Sequence, residues 1–376
     1  MISLKPDLSM EERDRLSLHM NGGQGESSYA NNSSLQRTCV RRTRPLLEET
    51  IARLYRDTSP NCMKVADLGC SVGPNALLVI SNIIDIVHMT CTCLNREPPT
   101  FQFYLNDLFG NDFNTIFKSL PDFYKRLQED KGHKSGSYFI NATPGSFYGR
   151  LFPNNSINLF HSSYSLHWLS QDPLLGSLEA TSLNKGHCHI VSTSPPEVYQ
   201  AYLKQFKEDF KLFLRSRSEE LVPGGAMVLI FFGRNHIPRT NAFEVLSLVL
   251  NDMLLEGLIE EAKMDSFNIP TYEPTDEEIR HVIQEEGSFF LQQLEILITH
   301  WDEGINQGGD NSFLDVNVRA EYITKNIRAV MEPLLSTKFE AVINELFIRF
   351  QKKIVELLEV QILECATLVI SLTKTD

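Results

Sequence analysis

Short apolar runs alternate with amphipathic segments along the first 233 residues of the chain. The runs that predict buried strands cover residues 63–69, 101–105, 157–161 and 225–232. The segments whose periodicity or apolar character predicts helices cover residues 42–55, 76–88 and 196–221. Because strands and helices take turns, the pattern indicates an α/β fold built on a parallel sheet.

The pattern changes after residue 233, where long helical segments with acidic faces predominate. These segments cover residues 241–262, 275–285 and 322–358, and only residues 291–298 and 367–372 resemble strands there. The last strand can return to the sheet, so the sequence predicts four parts. They are an N-terminal segment with a ligand-binding loop (1–40), a core (41–236), a helical cap (237–330) and a C-terminal helix and strand that return to the core (331–376).

Composition narrows the functions that such a fold could serve. Of the 376 residues, 42% are hydrophobic and 22% are charged, so the chain can bury a sizeable core. Its 48 acidic and 35 basic side chains give a net charge of −13 without a basic run, which disfavours nucleic acid as a partner. Uninterrupted apolar stretches fall far short of the roughly 20 residues that cross a bilayer, so no membrane partner is expected. The first 15 residues lack the features of a signal or transit peptide and predict a cytoplasmic protein.

A glycine-containing turn follows the first predicted strand, which ends at Asp67. The turn resembles the acid-x-Gly-x-Gly turn of nucleoside-binding folds, but Cys70 and Ser71 stand where a pyrophosphate fingerprint would have glycine. A ligand with adenosine and no phosphates fits better. Asp107, at the end of the next strand, could then accept hydrogen bonds from two ribose hydroxyls. S-adenosylmethionine matches this description, although both acids could also serve only as turn formers.

Aromatic and polar groups follow two further strand ends, where ligands sit in open α/β sheets. In Ser146-Phe147-Tyr148 an aromatic ring could clamp an adenine, or the segment could be only a turn with a packed aromatic. The indole N–H of Trp168, together with the Gln36 amide, could hold a carboxylate, or Trp168 could belong to the core. No G-x-S-x-G elbow and no H-E-x-x-H helix occurs in the sequence, so neither hydrolase class gains support.

Seven motifs in order resemble the SABATH family of plant methyltransferases. They are MNGGxGExSYAxNSxxQ (20–36), DLGCxxGPN (67–75), LNDL with GNDFN (105–114), PGSFYGRLFP (144–153), HSSYSLHWLSQ (161–171), LNKG (183–186) and DSFNIP (265–270). The resemblance runs from about residue 16 to residue 372. It implies a Rossmann-like class I methyltransferase core with a mostly parallel sheet and a helical cap over the active site.

The same resemblance implies an activity. Members of the family transfer a methyl group from S-adenosylmethionine to the carboxylate of small acids such as jasmonate, salicylate or benzoate, which gives a methyl ester by direct in-line transfer. In the caffeine-forming branch the acceptor is a ring nitrogen of a xanthine. The resemblance also implies a homodimer.

Site residues carry over from the family position by position. Those implied around the methyl donor are Tyr29, Asn32, Asp67, Cys70, Asn75, Asp107, Leu108, Ser146 and Phe147. Those implied in the acceptor pocket are Gln36, Tyr164, His167 and Trp168. A peripheral, structural magnesium ion is implied near Asn184, Asp265, the carbonyl of Phe267, and Asn268, whose oxygen atoms suit a hard cation.

The chemistry of the transfer agrees with the absence of a catalytic triad. A carboxylic acid with a pKa of about 4 is already an anion at neutral pH, so its methylation needs placement and no general base. We therefore predict no catalytic side chain, only positioning by Gln36 and Trp168. Their presence favours a carboxyl acceptor, whereas His167 replaces the methionine of many salicylate-type members. Residues 235–241 form a shorter lid segment than usual, which leaves acceptor size open.

Overall fold

The computed structural model describes residues 18–131, 138–174, 183–306, 311 and 313–375. Its strands are β1 (Cys62–Leu68), β2 (Thr100–Asp107), β3 (Tyr138–Pro144), β4 (Ile157–Ser163), β5 (Leu221–Gly233), β6 (Phe289–His300) and β7 (Glu364–Lys374). They form one sheet in the order β3-β2-β1-β4-β5-β7-β6. The first five strands pair in parallel, and β7 runs antiparallel to both β5 and β6. The α/β fold with a mostly parallel sheet is as predicted.

Ten α-helices accompany the sheet in the described part of the chain. They are α1 (Ser34–Arg42), α2 (Arg44–Thr58), α3 (Pro74–Cys93), α4 (Phe113–Lys131), α5 (Pro196–Glu220), α6 (Ala242–Leu255), α7 (Glu261–Asp265), α8 (Asp276–Glu286), α9 (Val316–Phe339) and α10 (Ile343–Val360). A 3₁₀ turn at Glu340–Val342 joins the last two helices.

Apolar layers cover both faces of the sheet. Side chains of β1 alternate between them: Met63 and Val65 pack with α2 and α3, whereas Ala66 and Leu68 pack with α5. Successive residues of a strand point to opposite faces, so a strand covered on both sides is mostly apolar. This explains why β1 is mostly apolar in the sequence, with Lys64 and Asp67 as its polar exceptions. Helix α3 is also long and apolar enough to cross a membrane, and more than half of it is buried within the structure.

Several predicted elements need correction. Strand β3 and helix α4 were not predicted, because β3 lies at the sheet edge, where its side chains are only partly buried and form no apolar run. The helix predicted at 322–358 is two helices, α9 and α10, and the one predicted at 241–262 ends at Leu255.

The predicted helical cap also contains part of the sheet. Strand β6 falls within residues 237–330 and pairs with β7 along its length. The sequence pattern could not show this pairing, because β6 and β7 are separated by two long helices. The division of the chain into four parts stays a prediction, and the first part, 1–40, lies partly outside the described residues.

The direction of the strand order changes between β1 and β4. Strands β2 and β3 lie on one side of β1, and β4 and β5 lie on the other. Such a reversal opens a crevice at the carboxyl ends of the strands, where α/β proteins bind ligands. A ligand site is therefore expected at the carboxyl ends of β1, β2 and β4.

Candidate functional site

The turn between β1 and α3 is too tight for side chains at its glycines. Gly69 has φ of +75°, and a β-carbon there would lie 2.0 Å from the Ser165 hydroxyl oxygen. Gly73 has φ of +104°, and its β-carbon would lie 2.8 Å from the Ala30 α-carbon. Only glycine tolerates both the dihedral and the contact. The Ser71 hydroxyl between them is buried and has no hydrogen-bond partner among the described residues, which leaves it free for a ligand.

Asp107 faces this turn from the end of β2. One carboxylate oxygen accepts a hydrogen bond from the Ser71 N–H at 2.7 Å, and the other accepts one from the Leu108 N–H at 2.8 Å. Burial raises the pKa of Asp107 to about 6, although both hydrogen bonds act to lower it. Each oxygen keeps a lone pair, so the carboxylate can still accept from two hydroxyls.

Three other residues predicted at the methyl-donor site, Tyr29, Asp67 and Cys70, lie near Asp107. The buried Tyr29 hydroxyl and Cys70 thiol have raised pKa values, first through burial and then through the nearby carboxylates of Asp107 and Asp67. Both groups therefore stay uncharged at neutral pH. The structure thus brings together residues from the N-terminal loop, the turn after β1 and the end of β2.

Asp67 has a buried partner that sequence reasoning missed. Its carboxylate oxygen Oδ1 lies 2.7 Å from Nδ1 of His161, and the two residues are opposite each other in the register of β1 and β4. Both stand at the ends of predicted strands. That shared position is the one signal in the sequence that could have suggested the pair.

The segment after β3, residues 144–153, runs over the glycine turn. The Gly145 N–H donates to the Asp107 carbonyl at 2.9 Å. The Phe147 ring lies beside the turn, 3.6 Å from where a β-carbon of Gly69 would be, and the Ser146 hydroxyl accepts from the Tyr148 N–H at 3.3 Å. We call residues 144–153 the donor loop.

Two side-chain amides predicted at the methyl-donor site donate hydrogen bonds to backbone carbonyls of the N-terminal loop. Asn32 donates to the carbonyls of Glu26 and Ser28 at 2.7 and 2.8 Å. Asn75, at the start of α3, donates to the Ser33 carbonyl at 3.1 Å. These bonds fix the N-terminal loop that carries Tyr29 and leads into α1.

The predicted acceptor residues lie at the end of β4 and on α1. Tyr164 adopts φ of +58°, an uncommon conformation for a non-glycine residue, and its hydroxyl lies 2.9 Å from the Thr367 hydroxyl. Burial lowers the pKa of His167 to about 3, so its ring is neutral, and its buried Nδ1 has no partner among the described residues. The side-chain amide oxygen of Gln36, Oε1, is likewise buried and has no hydrogen-bond partner among the described residues.

Trp168 links the acceptor residues to the donor loop. Its carbonyl accepts a hydrogen bond from the Tyr148 hydroxyl at 2.5 Å, and its backbone bridges to Thr271. Its indole packs against Phe243 with ring centroids 6.1 Å apart. Hydrogen bonding therefore fixes the backbone of Trp168, and its indole contacts helix α6.

A cavity of about 650 Å³ lies next to these side chains. Its wall includes Leu35, which precedes Gln36, and Phe232 and Phe243, which pack on the His167 and Trp168 rings. Two arginines of the wall are already paired, Arg234 with Glu278 at 3.1 Å and Arg239 with Glu364 at 3.4 Å. The sequence analysis did not identify these wall residues, because they come from distant parts of the chain.

Three of the predicted magnesium ligands have side-chain hydrogen-bond partners within the protein. Asp265 already accepts from the Gly186 N–H at 3.2 Å, and the Asn184 side-chain oxygen accepts from the Ser194 hydroxyl at 2.8 Å. Asn268 donates to Asp172 at 3.1 Å. In the ranges that the structure describes, no group of three or more His, Cys, Asp or Glu side chains is placed to hold a metal.

Comparisons with known proteins agree with this geometry. A family model described as SAM dependent carboxyl methyltransferase matches residues 15–375. A probable jasmonic acid carboxyl methyltransferase of Theobroma cacao is 45% identical over 95% of this chain and 98% of its own. A probable caffeine synthase of Coffea canephora is 44% identical over 95% of this chain and 97% of its own. The solved structure of a loganic acid methyltransferase with S-adenosylhomocysteine (SAH) superposes with a TM-score of 0.81 at 30% identity, covering 95% of this chain and 99% of that one.

Proposed function

Because the chain belongs to the family of S-adenosylmethionine-dependent carboxyl methyltransferases, we propose that it methylates the carboxylate of a small plant acid of the jasmonate, salicylate or benzoate class. This membership confirms the resemblance that the seven motifs indicated. The product would be a methyl ester.

The observation that carries the proposal is the placement of Asp107 against the glycine turn, with β1 lying between β2 and the strand β4 that leads to the acceptor residues. S-adenosylmethionine, when bound, supplies an electrophilic methyl group. Asp107 would accept from the ribose hydroxyls, and Phe147 would cover the adenine. The Ser71 hydroxyl, which has no hydrogen-bond partner in the described part of the chain, and the space kept open by Gly69 and Gly73 fit such a ligand.

Neutral hydrogen-bond donors would orient the acceptor. The Gln36 amide can present its nitrogen by rotating its last torsion, and the Trp168 indole offers a second N–H. A carboxylate held this way stays nucleophilic, whereas an arginine would stabilise its charge before the transfer. The arginines of the cavity wall are already paired with carboxylates, which is consistent with recognition by neutral groups. No general base is needed, since the acceptor is already an anion.

Xanthine N-methylation is the alternative function. One observation favours it: the buried Gln36 oxygen and the neutral His167 Nδ1 both lack described partners, and either could accept a hydrogen bond from a ring N–H. A relative named as a probable caffeine synthase is nearly as similar as the jasmonate-type relative.

One assay separates the two functions. Purified protein with a methyl-labelled donor would be incubated with benzoate, salicylate, jasmonate and methylxanthines, and each product would be treated with base. A base-labile product from an acid supports the carboxyl methyltransferase. A base-stable product formed on a xanthine alone would overturn it in favour of the alternative, and binding of SAH without any turnover would argue for a binding protein.

Other expectations from the sequence stay proposals. We propose a homodimer, which the family resemblance supports, and a cytoplasmic location, as the sequence analysis expects. A structural magnesium ion near Asn184 and Asp265 also stays a proposal, and no step of the reaction uses it. Turnover in EDTA equal to that in excess magnesium would agree with a peripheral role.

A further inference from the structure

A fully buried ion pair closes the last turn of α5. Arg217 and Glu220 both have side chains with 0% exposure, and the Arg217 Nε lies 2.7 Å from a Glu220 oxygen. Removing two charges from water is costly, and such a pair is favourable only when its remaining donors and acceptors are also satisfied. Where those remaining hydrogen bonds go therefore indicates what the pair holds.

The Arg217 side chain holds the donor loop by its backbone. Its two terminal nitrogens donate to the carbonyls of Phe147 and Gly149, each at 2.8 Å. The guanidinium also lies over the rings of Phe160 and Phe213, 5.1 and 5.4 Å from their centroids. Rings on its faces and carbonyls at its edge leave the guanidinium a single orientation.

Glu220 holds the next part of the same loop. One of its carboxylate oxygens accepts from the N–H groups of Leu151 and Phe152 at 2.6 and 3.0 Å. The ion pair thus makes four hydrogen bonds to backbone between residues 147 and 152. All of them fall within the donor loop.

The held segment carries the ring that faces the glycine turn. Phe147 is bonded through its carbonyl to Arg217, and its ring packs edge-on against Phe213 with centroids 6.0 Å apart. A shift of the carbonyl would move the ring relative to Gly69. The position of the ring is therefore set from inside the protein, on the side away from the crevice.

We propose that Arg217 and Glu220 are positioning residues of the methyl-donor site, which set the placement of Phe147 through the backbone of the donor loop. This inference rests on the proposed function, because it takes the crevice beside Gly69 as the donor site. A planar guanidinium can hold two carbonyls at a fixed separation, which the point charge of a lysine cannot do.

Arg217→Lys tests the proposal. It keeps the positive charge opposite Glu220 and removes the paired hydrogen bonds to the Phe147 and Gly149 carbonyls. We expect the dissociation constant of SAH, measured by calorimetry, and the KM for the methyl donor to rise at least fivefold. The acceptor KM at saturating donor stays unchanged. The matched control is Arg319→Lys, which alters another largely buried arginine–carboxylate pair, to Asp302 at 2.5 Å, away from the donor loop. It should lower the melting temperature without changing SAH affinity.

Glu220→Gln provides a second variant, because its amide oxygen can still accept from the loop while the charge is lost. Because the neutral amide no longer pairs with the Arg217 guanidinium, the hydrogen bonds of Arg217 to the Phe147 and Gly149 carbonyls are no longer fixed, and SAH binding should weaken in the same direction. Unchanged SAH affinity in whichever of the two variants folds would overturn the inference and leave the pair as a fold-stabilising contact. Absence of SAH binding by the wild-type protein would instead overturn the proposed function.

Discussion

The carboxylate of Asp107 accepts a hydrogen bond from the backbone N–H of Ser71 at 2.7 Å, so the end of β2 braces the glycine turn that follows β1. This single contact joins the two features that the sequence analysis identified at separate strand ends. It also places the candidate ribose acceptor directly beside a turn that side chains cannot enter.

Asp107→Ala should remove the acceptor of both ribose hydroxyls. Hydrogen bonds to a charged group contribute more than neutral ones, so we expect a loss of about 2–4 kcal/mol in donor binding free energy. Calorimetry with SAH measures it. Asp122→Ala, on the exposed face of α4, is the control that should bind normally. Equal affinities in the two variants would show that Asp107 has another role.

Donor binding should weaken in mild acid. Burial raises the pKa of Asp107 to about 6, and its ionised form is the better acceptor for hydroxyls. Between pH 7 and pH 5 the ionised fraction falls about tenfold, and SAH affinity should fall with it. Asp107→Asn cannot titrate, so its weaker binding should not change over this range. A wild-type affinity that is flat with pH would contradict the assignment.

Trp168→Phe should impair the acceptor and spare the donor. The change removes the indole N–H and keeps an aromatic ring against Phe243. Losing one hydrogen bond to a charged group costs about 1.5–3 kcal/mol, so the acceptor KM should rise at least tenfold, or kcat should fall equally. SAH affinity and the melting temperature should stay near wild type. A fall in stability with unchanged acceptor kinetics would identify Trp168 as a core residue only.

His167 should contribute nothing to the pH dependence of turnover. Burial lowers the pKa of its ring to about 3, so the ring is neutral throughout the range from pH 5 to 9. His167→Gln should change the acceptor KM but leave the shape of the pH–rate profile unaltered. An inflection near pH 6 that disappears in this variant would show a titrating, functional imidazole instead.

Glu273, in the cavity wall, should make the fold less stable as pH rises. Burial raises its pKa from 4.5 to about 7, so the folded chain binds a proton more tightly than the unfolded chain between these values. The free energy of unfolding therefore falls as pH rises from about 4.5 to about 7. Glu273→Gln should melt above wild type at pH 8 and equal to it at pH 4. Glu277→Gln, at an exposed neighbouring position, should show no such difference.

Much of the candidate site followed from local sequence because its residues are local features. Asp67 and Asp107 end apolar strands, and the carboxyl ends of parallel strands meet at one edge of a sheet. The glycines between Asp67 and α3 indicate a turn in which some residues have positive φ. The roles given to individual side chains stay predictions until variants are measured.

The rest depended on contacts that no local pattern encodes. His161 meets Asp67 across 94 positions of sequence because β4 pairs with β1 in one particular register. Arg217 lies in an ordinary amphipathic helix, and nothing in that pattern distinguishes a buried arginine from a solvated one. Strand β3, only partly buried, left no apolar run to read.

The sequence by itself determined the fold class, the family and the chemistry at the strand ends, since periodicity, turn residues and ordered motifs are all properties of short segments. Only the tertiary structure decided which groups meet. It placed β6 in the sheet, Arg217 and Glu220 under the donor loop, and the acceptor side chains beside a cavity. The physical reason is that strand register and helix docking are set by packing over the whole core, where distant segments exclude water together.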